Sequence, residues 1–357
     1  MMHFTHRLAL AATLLCSAAV AQPVAPSTSH VRILGTGGTI AGSNTDNSST
    51  SYRSGVVSVN DLVKALPGVD RIATISAEQV ANVPSGDMDE TLWRTLLARV
   101  EAAMADPGVS GVVITHGTDT LEETAYFLHL AAPRTKPLVL VGSMRPGTAV
   151  SADGPQNLMD AIRVATSPKA AGRGVMVVMN DTIFDPVSVT KVDVRRVDAF
   201  SAPSRGPIGD VLRQEPAFLT APAPQQPALA LKPAPLPAVA IIYAHAGITG
   251  DDVRRIAGNA KGVVIGGVGA GGIASNARDA LRDLVKRGVA VVRTPRQGHG
   301  DIWANPRPSG TDDEGGPRTI AGRTLTPAKA RILLMLALQD ARTPDELQAI
   351  FDQYGTP

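Results

Sequence analysis

The stretch Val109-Ser-Gly-Val-Val-Ile-Thr-His-Gly-Thr-Asp-Thr120 joins an apolar run to a cluster of polar side chains. The run from Val109 to Ile114 predicts a buried strand, and the six residues after it bring hydroxyls, an imidazole and a carboxylate. Open α/β sheets place their binding and catalytic groups at the carboxyl ends of their strands. We therefore predict a functional site at the end of this strand.

A second stretch of the same kind lies earlier in the chain. Val31 to Leu34 is predicted as a short strand, and the sequence TGGTIAG follows it at 36–42. Thr39 in that stretch and Thr118 in the first one each lie just beyond a strand end. Because the carboxyl ends of parallel strands meet at one edge of a sheet, the two threonines predict one shared site.

A threonine hydroxyl is a poor nucleophile at its own pKa, so a site built on one needs a base and an oriented set of hydrogen bonds. A candidate base follows the predicted strand Gly174 to Met179, where Lys191 lies in an otherwise apolar and small-residue stretch. A lysine held in a desolvated pocket has a lowered pKa and can act as a general base. Thr118, Lys191 and Asp119 would then supply a hydroxyl, an amine and a carboxylate.

The spacing of apolar residues along the chain alternates between helix and strand. Apolar side chains recur at helical spacing within 89–105, and Pro107-Gly108 ends that helix. Further elements are predicted at 121–130 (helix), 138–141 (strand), 155–165 (helix), 175–179 (strand), 238–243 (strand), 251–257 (helix), 262–265 (strand), 277–286 (helix), 289–292 (strand) and 327–338 (helix). This order predicts an α/β fold with a mainly parallel, doubly wound sheet.

Changes in composition divide the chain into segments. Residues 216–237 are rich in Pro, Ala and Gln, which is typical of a semi-rigid linker. We therefore predict a larger N-terminal catalytic α/β domain over 31–215 and a smaller C-terminal α/β domain over 238–357. At 357 residues the chain is long enough for both.

The first 21 residues have the pattern of a secretory signal peptide. Arg7 precedes the apolar run Leu8 to Val20, and Ala19-Val20-Ala21 matches a cleavage site. Lipoprotein processing at Cys16 is the competing interpretation, but Leu15 occupies a position where such sites need a small residue. We expect an exported, periplasmic protein without a membrane span, because no other stretch approaches the ~20 apolar residues of a span.

The composition argues against a nucleic-acid partner. The formal net charge is +2 and aromatic residues make up 3% of the chain, so there is no basic stripe interleaved with aromatics. With 44% hydrophobic and 18% charged residues, the chain is ordinary for a soluble globular protein.

Each motif also has another interpretation. The glycines before Thr39 resemble a dinucleotide fingerprint, but Ile40 replaces its third glycine and a polar loop replaces its helix. Thr39 could merely cap a turn, and Lys191 could be a surface lysine. His116 could be a general base, although a packed, hydrogen-bonded role is the more usual one. His299 and Asp301 are too few to define a metal site.

Taken together, the motifs resemble the bacterial type II L-asparaginases, from residue 31 to residue 354. The matching segments are TGGTIAG at 36–42, ITHGTDTLEETAYFL at 114–128, VGSMRP at 141–146, SADGPQNL at 151–158, GVMVVMNDT at 174–182 and VTK at 189–191. The resemblance implies hydrolysis of L-asparagine to L-aspartate and ammonia, with no metal and no organic cofactor. A broad-specificity glutaminase-asparaginase and a non-catalytic amino-acid-binding protein are the alternatives.

The resemblance also implies roles for single residues. Thr39 matches the nucleophile of the family, and Tyr52 matches its partner on a mobile loop. Thr118, Asp119 and Lys191 match the second catalytic cluster, which we assign to activation of water or of the acyl-enzyme step. Asp119 also matches the acid that holds the substrate α-amino group.

One position carries a substrate contact of the family, and three positions depart from the family pattern. Ser85 matches the serine that holds the substrate α-carboxylate, but Gly86 stands where the family often has a polar or acidic side chain. Gly272 likewise replaces a side chain that reaches a neighbouring subunit's site. The acid that pairs with the loop tyrosine aligns at Thr311, beside Asp312, Asp313 and Glu314. We therefore expect a homo-oligomer, by resemblance a tetramer, with sites at the subunit interface.

Overall fold

The computed structural model describes residues 29–44, 52–304, 318–341 and 343–356. Within these ranges the strands are β1 His30–Gly37, β2 Thr74–Val83, β3 Gly111–Thr115, β4 Leu138–Val141, β5 Val175–Met179, β6 Thr182–Phe184, β7 Thr190–Lys191, β8 Phe200–Ser201, β9 Gly209–Asp210, β10 Ala217–Phe218, β11 Val239–Tyr243, β12 Gly262–Gly267, β13 Ala290–Pro295 and β14 Ile320–Ala321. The α-helices are α1 Val59–Lys64, α2 Glu90–Ala105, α3 Leu121–Ala131, α4 Gly154–Thr166, α5 Gly250–Ala257, α6 Ser275–Lys286, α7 Pro327–Ala337 and α8 Pro344–Tyr354.

The larger sheet carries the candidate site. Its eight strands lie in the order β10-β9-β6-β5-β4-β3-β1-β2. The pairs from β2 to β5 are parallel, and β6, β9 and β10 add an antiparallel edge. The chain passes from β1 to β2 on one side and then crosses to β3 on the other. A ligand crevice is expected where the strand order reverses in this way, here between β1 and β3.

Helices cover both faces of this sheet because alternate residues of its strands point to opposite sides. Leu34 and Ile114 pack in the core with α2 and α3. Ile33 and Val113, their neighbours in sequence, pack in a second core with α1 and α4. The mainly parallel, doubly wound sheet predicted from sequence is confirmed.

The second domain repeats the arrangement on a smaller scale. Strands β11, β12, β13 and β14 form a parallel four-stranded sheet in that order. Helices α5 and α6 pack with one face of it. Helix α7 packs against β11 and β12 and also against α3 of the first domain. One hydrophobic core, which includes Tyr126 of α3 and Leu333 of α7, therefore extends through both domains.

The segment between the domains is tied to the first domain. The edge strand β10 lies inside the stretch predicted as linker, so its residues 217 and 218 belong to the large sheet. Further along, Leu229 N donates to Leu130 O at 2.7 Å, and Arg94 donates to the carbonyls of Lys232 and Ala234. The division at 215 and 238 stays a prediction.

Several sequence predictions lie outside the described residues. They are the signal peptide at 1–21, with Cys16, and the acids beside Thr311. In the described part of the chain, no helix has both the length and the apolarity needed to cross a membrane.

Candidate active site

The segment that carries Thr39 contacts the segment that carries Thr118 through glycine residues. After β1 the backbone adopts positive φ at Gly37 (102°) and Gly38 (81°), and Thr39–Ala41 forms a short 3-10 turn. A Cβ added to Gly38 would lie 2.3 Å from the Cα and N atoms of Gly117. Only glycine combines this φ with so close an approach. The backbone just before Thr39 therefore contacts the backbone just before Thr118.

Thr39 is paired with Tyr52. Their hydroxyl oxygens lie 2.7 Å apart, and Thr39 is almost fully buried. The ring of Tyr52 packs on Gly42, where an added Cβ would lie 2.8 Å from Cδ2 of the ring. Reciprocal backbone hydrogen bonds between Ser43 and Arg53, at 3.1 and 3.0 Å, hold the backbone at Tyr52 beside the turn that carries Thr39. The structure thus brings together the first pair of predicted site residues.

The second cluster is centred on Lys191 at the end of β7. Its Nζ donates to Thr118 Oγ1 at 2.9 Å and to Asp119 Oδ1 at 2.6 Å. The Lys191 side chain is 15% exposed, whereas that of Asp119 is 74% exposed. Lys191 Nζ therefore lies between a buried hydroxyl and a carboxylate that a ligand can reach from solvent. These three residues also lie together as the sequence predicted.

Ser85 packs under the turn that follows β3. Its Oγ accepts a hydrogen bond from Asp119 N at 3.1 Å, and its carbonyl accepts one from Thr120 Oγ1 at 2.7 Å. Ser85 is buried, and Gly117 approaches so closely that an added Cβ would lie 2.7 Å from Ser85 Oγ. The next residue, Gly86, is exposed, and a Cβ built on it would meet no atom within 4 Å. Space for a side chain is therefore present at position 86.

His116 is a buried structural residue in a hydrogen-bonded chain. Its Nδ1 lies 2.7 Å from Gly117 O, which can only accept, so Nδ1 carries the hydrogen. Its Nε2 then accepts from Thr124 Oγ1 at 3.0 Å, and that hydroxyl accepts from Trp93 Nε1 at 3.0 Å. Burial lowers the pKa of His116 to about 4, although the hydrogen bond to Gly117 opposes the shift. The neutral ring of His116 is therefore buried, with both of its nitrogens hydrogen-bonded.

The other histidine of interest lies in a loop. His299 Nδ1 is 3.2 Å from Gln297 O. In the part of the chain that the structure describes, no three His, Cys, Asp or Glu side chains come close enough to share a metal ion.

Sequence reasoning missed two side chains that hold the backbone next to Lys191. Glu122 Oε2 accepts a hydrogen bond from Lys191 N at 2.6 Å. Lys329 of α7, in the second domain, donates from Nζ to Val187 O at 2.9 Å and also to Val189 O. The available signal for Lys329 was its place on the apolar face of α7, because Ile332, Leu333 and Leu336 follow it at helical spacing.

Fold and site together define a two-domain α/β protein with two hydroxyl-bearing clusters at a strand-order reversal. The chain belongs to the asparaginase family. The family model described as asparaginase, N-terminal, matches residues 30–224, and the model described as glutaminase/asparaginase C-terminal domain matches residues 238–351.

Individual relatives agree with this placement. The chain is 41% identical to L-asparaginase 2 of Bacillus subtilis (strain 168), over 91% of this chain and 86% of that protein. It is 39% identical to L-asparaginase 2 of Escherichia coli (strain K12), over 99% and 100%. The crystal structure of a probable cytoplasmic L-asparaginase from Campylobacter jejuni superposes with a TM-score of 0.84 at 39% identity, over 91% of this chain and 100% of that one.

Two other relatives, each 37% identical, have names that bear on function and location. One is a probable periplasmic L-asparaginase of Haemophilus influenzae, which aligns over 91% of this chain and 93% of its own length. The other is a glutaminase-asparaginase of Pseudomonas fluorescens biotype A, which aligns over 91% and 90%.

Proposed function

We propose that this protein is an L-asparaginase that hydrolyses the side-chain amide of L-asparagine through a threonine nucleophile. The observation that supports the proposal most directly is the close backbone approach of Gly38 and Gly117, which precede two threonines whose hydroxyls are each hydrogen-bonded. Thr39 is hydrogen-bonded to Tyr52, and Thr118 is hydrogen-bonded to a lysine that also contacts a carboxylate. Family membership supports the same reaction.

In the first half of the reaction, Thr39 Oγ1 attacks the side-chain carbonyl carbon of asparagine. Tyr52, within hydrogen-bond reach of that oxygen, assists removal of the hydroxyl proton. The carbon–nitrogen bond breaks, the nitrogen takes up a proton and leaves as ammonia, and the aspartyl group remains as an ester on Thr39.

In the second half, water attacks the ester carbonyl carbon. Thr118 orients this water, and Lys191, as the neutral amine, takes up its proton by way of the Thr118 hydroxyl while Asp119 holds Nζ in place. The ester carbon–oxygen bond breaks, aspartate leaves and Thr39 regains its proton. The same groups serve attack and departure because each transfers a proton in both directions.

The substrate backbone groups have candidate partners of matching charge. The exposed carboxylate of Asp119 suits the α-ammonium group. Ser85 Oγ accepts from Asp119 N, which leaves its hydroxyl hydrogen to donate to the α-carboxylate.

An ammonia-release assay on the purified protein tests the proposal. We expect rapid release from L-asparagine, weak release from L-glutamine and little from D-asparagine. The Lys191→Ala variant serves as the control for contaminating activity. Absence of ammonia from L-asparagine in the wild type would overturn the proposed function.

The second candidate is a broad-specificity glutaminase-asparaginase, which the name of the Pseudomonas fluorescens relative favours. Equal kcat/KM for the two amides in the same assay would select it. Binding of asparagine without ammonia release would instead select an amino-acid-binding protein that kept the fold.

We further propose that the protein is exported to the periplasm and assembles as a homotetramer with sites completed by a second subunit. The apolar leader and the name of the Haemophilus influenzae relative support export. Amino-terminal sequencing of protein from a periplasmic extract should begin at Gln22. Light scattering should give the mass of four chains, and a fully active monomer would contradict the shared site.

A further inference from the structure

A lysine of the second domain is buried beside the strand that holds Lys191. Lys329 lies in the first turn of α7 and has no exposed surface. Its Nζ donates to Val187 O at 2.9 Å and to Val189 O. Lysine is almost never fully buried unless its charge has partners. Here the partners are two backbone carbonyls of the other domain.

The two carbonyls lie on the segment that leads directly into β7. Residues 186–188 form a turn that the hydrogen bond from Val189 N to Asp185 O closes at 3.1 Å, and the carbonyls of Val187 and Val189 both lie within reach of the Lys329 Nζ. Asp185 Oδ1 accepts the N–H groups of Val187 and Ser188, each at 2.9 Å. The backbone from 187 to 189 is therefore held through its N–H groups and its carbonyls.

Glu122 holds the same strand from the first domain. It lies in the first turn of α3, three residues after Asp119, and its Oε2 accepts from Lys191 N at 2.6 Å. The start of α3 thus places Asp119 against the Lys191 side chain and Glu122 against the Lys191 backbone. The position of Lys191 depends on α3 and α7 together.

Burying the charged side chain of Lys329 in the core costs free energy. Burial lowers its pKa, and the carboxylates of Glu122, Asp185 and Glu123 oppose that shift by stabilising the ammonium. Apolar side chains of similar volume often replace buried charges with no loss of stability. Packing alone therefore gives no reason for a lysine at this place, whereas binding two carbonyls next to Lys191 does.

We propose that Lys329 and Glu122 are positioning residues that hold the backbone of 187–191 so that Lys191 Nζ reaches Thr118 and Asp119. The inference rests on the proposed function, in which Lys191 activates water. A displacement of about 1 Å can lower a rate by roughly 10²-fold, so a loosened strand should affect turnover strongly.

The first test compares Lys329→Met with a matched lysine far from the site. Lys136 also donates to two backbone carbonyls, those of Ala103 and Asp106 at the end of α2. We expect Lys329→Met to lower kcat by about tenfold or more with KM changed less than about threefold. Lys136→Met should keep the kcat of the wild type. Equal kcat in the two variants would overturn the inference.

The second test asks whether the effect passes through Lys191. In a Lys191→Ala background, Lys329→Met should cause no further fall in kcat, because the group it positions is gone. A purely structural role would give the same fold-loss in both backgrounds and would contradict the proposal.

A third comparison does not depend on the folding of Lys329→Met. Glu122→Ala should lower kcat by about fivefold or more, and Glu122→Gln, which keeps the acceptor oxygen, should recover most of that loss. Equal turnover in Glu122→Ala and the wild type would overturn the inference.

Hydrogen exchange provides a readout without activity. Amides of 187–191 should exchange about tenfold faster in Lys329→Met than in Lys136→Met or the wild type. Unchanged exchange contradicts the positioning role. Inactivity of the wild type towards asparagine, together with faster exchange in the variant, would overturn the proposed function and leave the structural role intact.

Discussion

The central strands of the two sheets differ in the side chains that follow their carboxyl ends. In the first sheet, β1 and β3 end in segments that carry Thr39, Thr118 and Asp119. In the second, β12 runs into GGVGAGG at 266–272, which has no polar side chain. An added Cβ at Gly267 would lie 2.3 Å from the carbonyl carbon of Gly271, so close backbone packing explains glycine there. A position at a strand end therefore does not by itself make a catalytic site. The side chains found there determine whether one can form.

The largest expected effect comes from removing a functional group at the end of the first sheet. Thr39→Ala or Lys191→Ala should lower kcat by about a thousandfold or more, because losing the nucleophile or the amine that activates water removes several kcal/mol of transition-state stabilisation. Steady-state ammonia release gives kcat, and circular dichroism checks the fold. Turnover like the wild type in either variant would contradict the roles assigned here.

The buried end of the first sheet should also be sensitive to acid. In the folded state burial lowers the pKa of His116 from 6.5 to about 4. Between these values the unfolded chain binds a proton that the folded chain does not, so stability is present above pH 6.5 and falls as pH falls towards 4. The loss corresponds to about 3 kcal/mol.

Urea unfolding at pH 7 and pH 4.5 measures this effect. His116→Gln should be less stable at pH 7 and show a smaller fall between the two values. His299→Gln, in an exposed loop, is the control for loss of an imidazole. If the pH dependence of stability is unchanged in His116→Gln, His116 is not the source of the acid sensitivity.

Tyr52 tests whether the first hydroxyl pair matters as much as the second cluster. Tyr52→Phe removes only the oxygen that lies 2.7 Å from Thr39 Oγ1. A positioned proton-transfer group contributes about 10²- to 10⁴-fold, so we expect kcat to fall by about a hundredfold. KM should change much less, because the phenyl ring can still pack on Gly42. A loss below about threefold would assign the activation of Thr39 to another group.

The sequence predicted the fold well because the central strands are buried on both faces and therefore uniformly apolar. The strand predicted from Val31 to Leu34 is longer in the structure, from His30 to Gly37, because Gly35 still pairs with Thr115. Strand β2 was not predicted. It lies at the sheet edge and is half-exposed and polar, so its apolar signal is weak.

The site was predictable only where motifs carry it. Lys191 and Thr118 are 73 residues apart. Their places after two predicted strands suggested the pair, and the resemblance to a known family supported it. Lys329 lies 140 residues from Val189, and no motif connects the two. Helical spacing identifies a lysine on an apolar face, but the carbonyls it binds are set by the packing of α7 on the first domain.

The smallest expected effect concerns the empty place beside Ser85. Gly86 is exposed and open, so Gly86→Gln should fold normally and bring an amide near the substrate backbone groups. One hydrogen bond to a charged group is worth ~1.5 to 3 kcal/mol, so KM for asparagine should fall by about tenfold or more. Gly86→Ala, which adds a Cβ without the amide, is the matched control.

The same variants address selectivity between the two amides. With no side chain at 86, the longer and more flexible glutamine should be poorly oriented, and the wild type should hydrolyse it weakly. The measurement is kcat/KM for both amino acids in the wild type, Gly86→Ala and Gly86→Gln. If the wild type hydrolyses glutamine within threefold of asparagine, or if Gly86→Gln leaves KM for asparagine unchanged, the missing side chain does not govern selectivity. Selectivity would then have to come from other groups at the end of the first sheet.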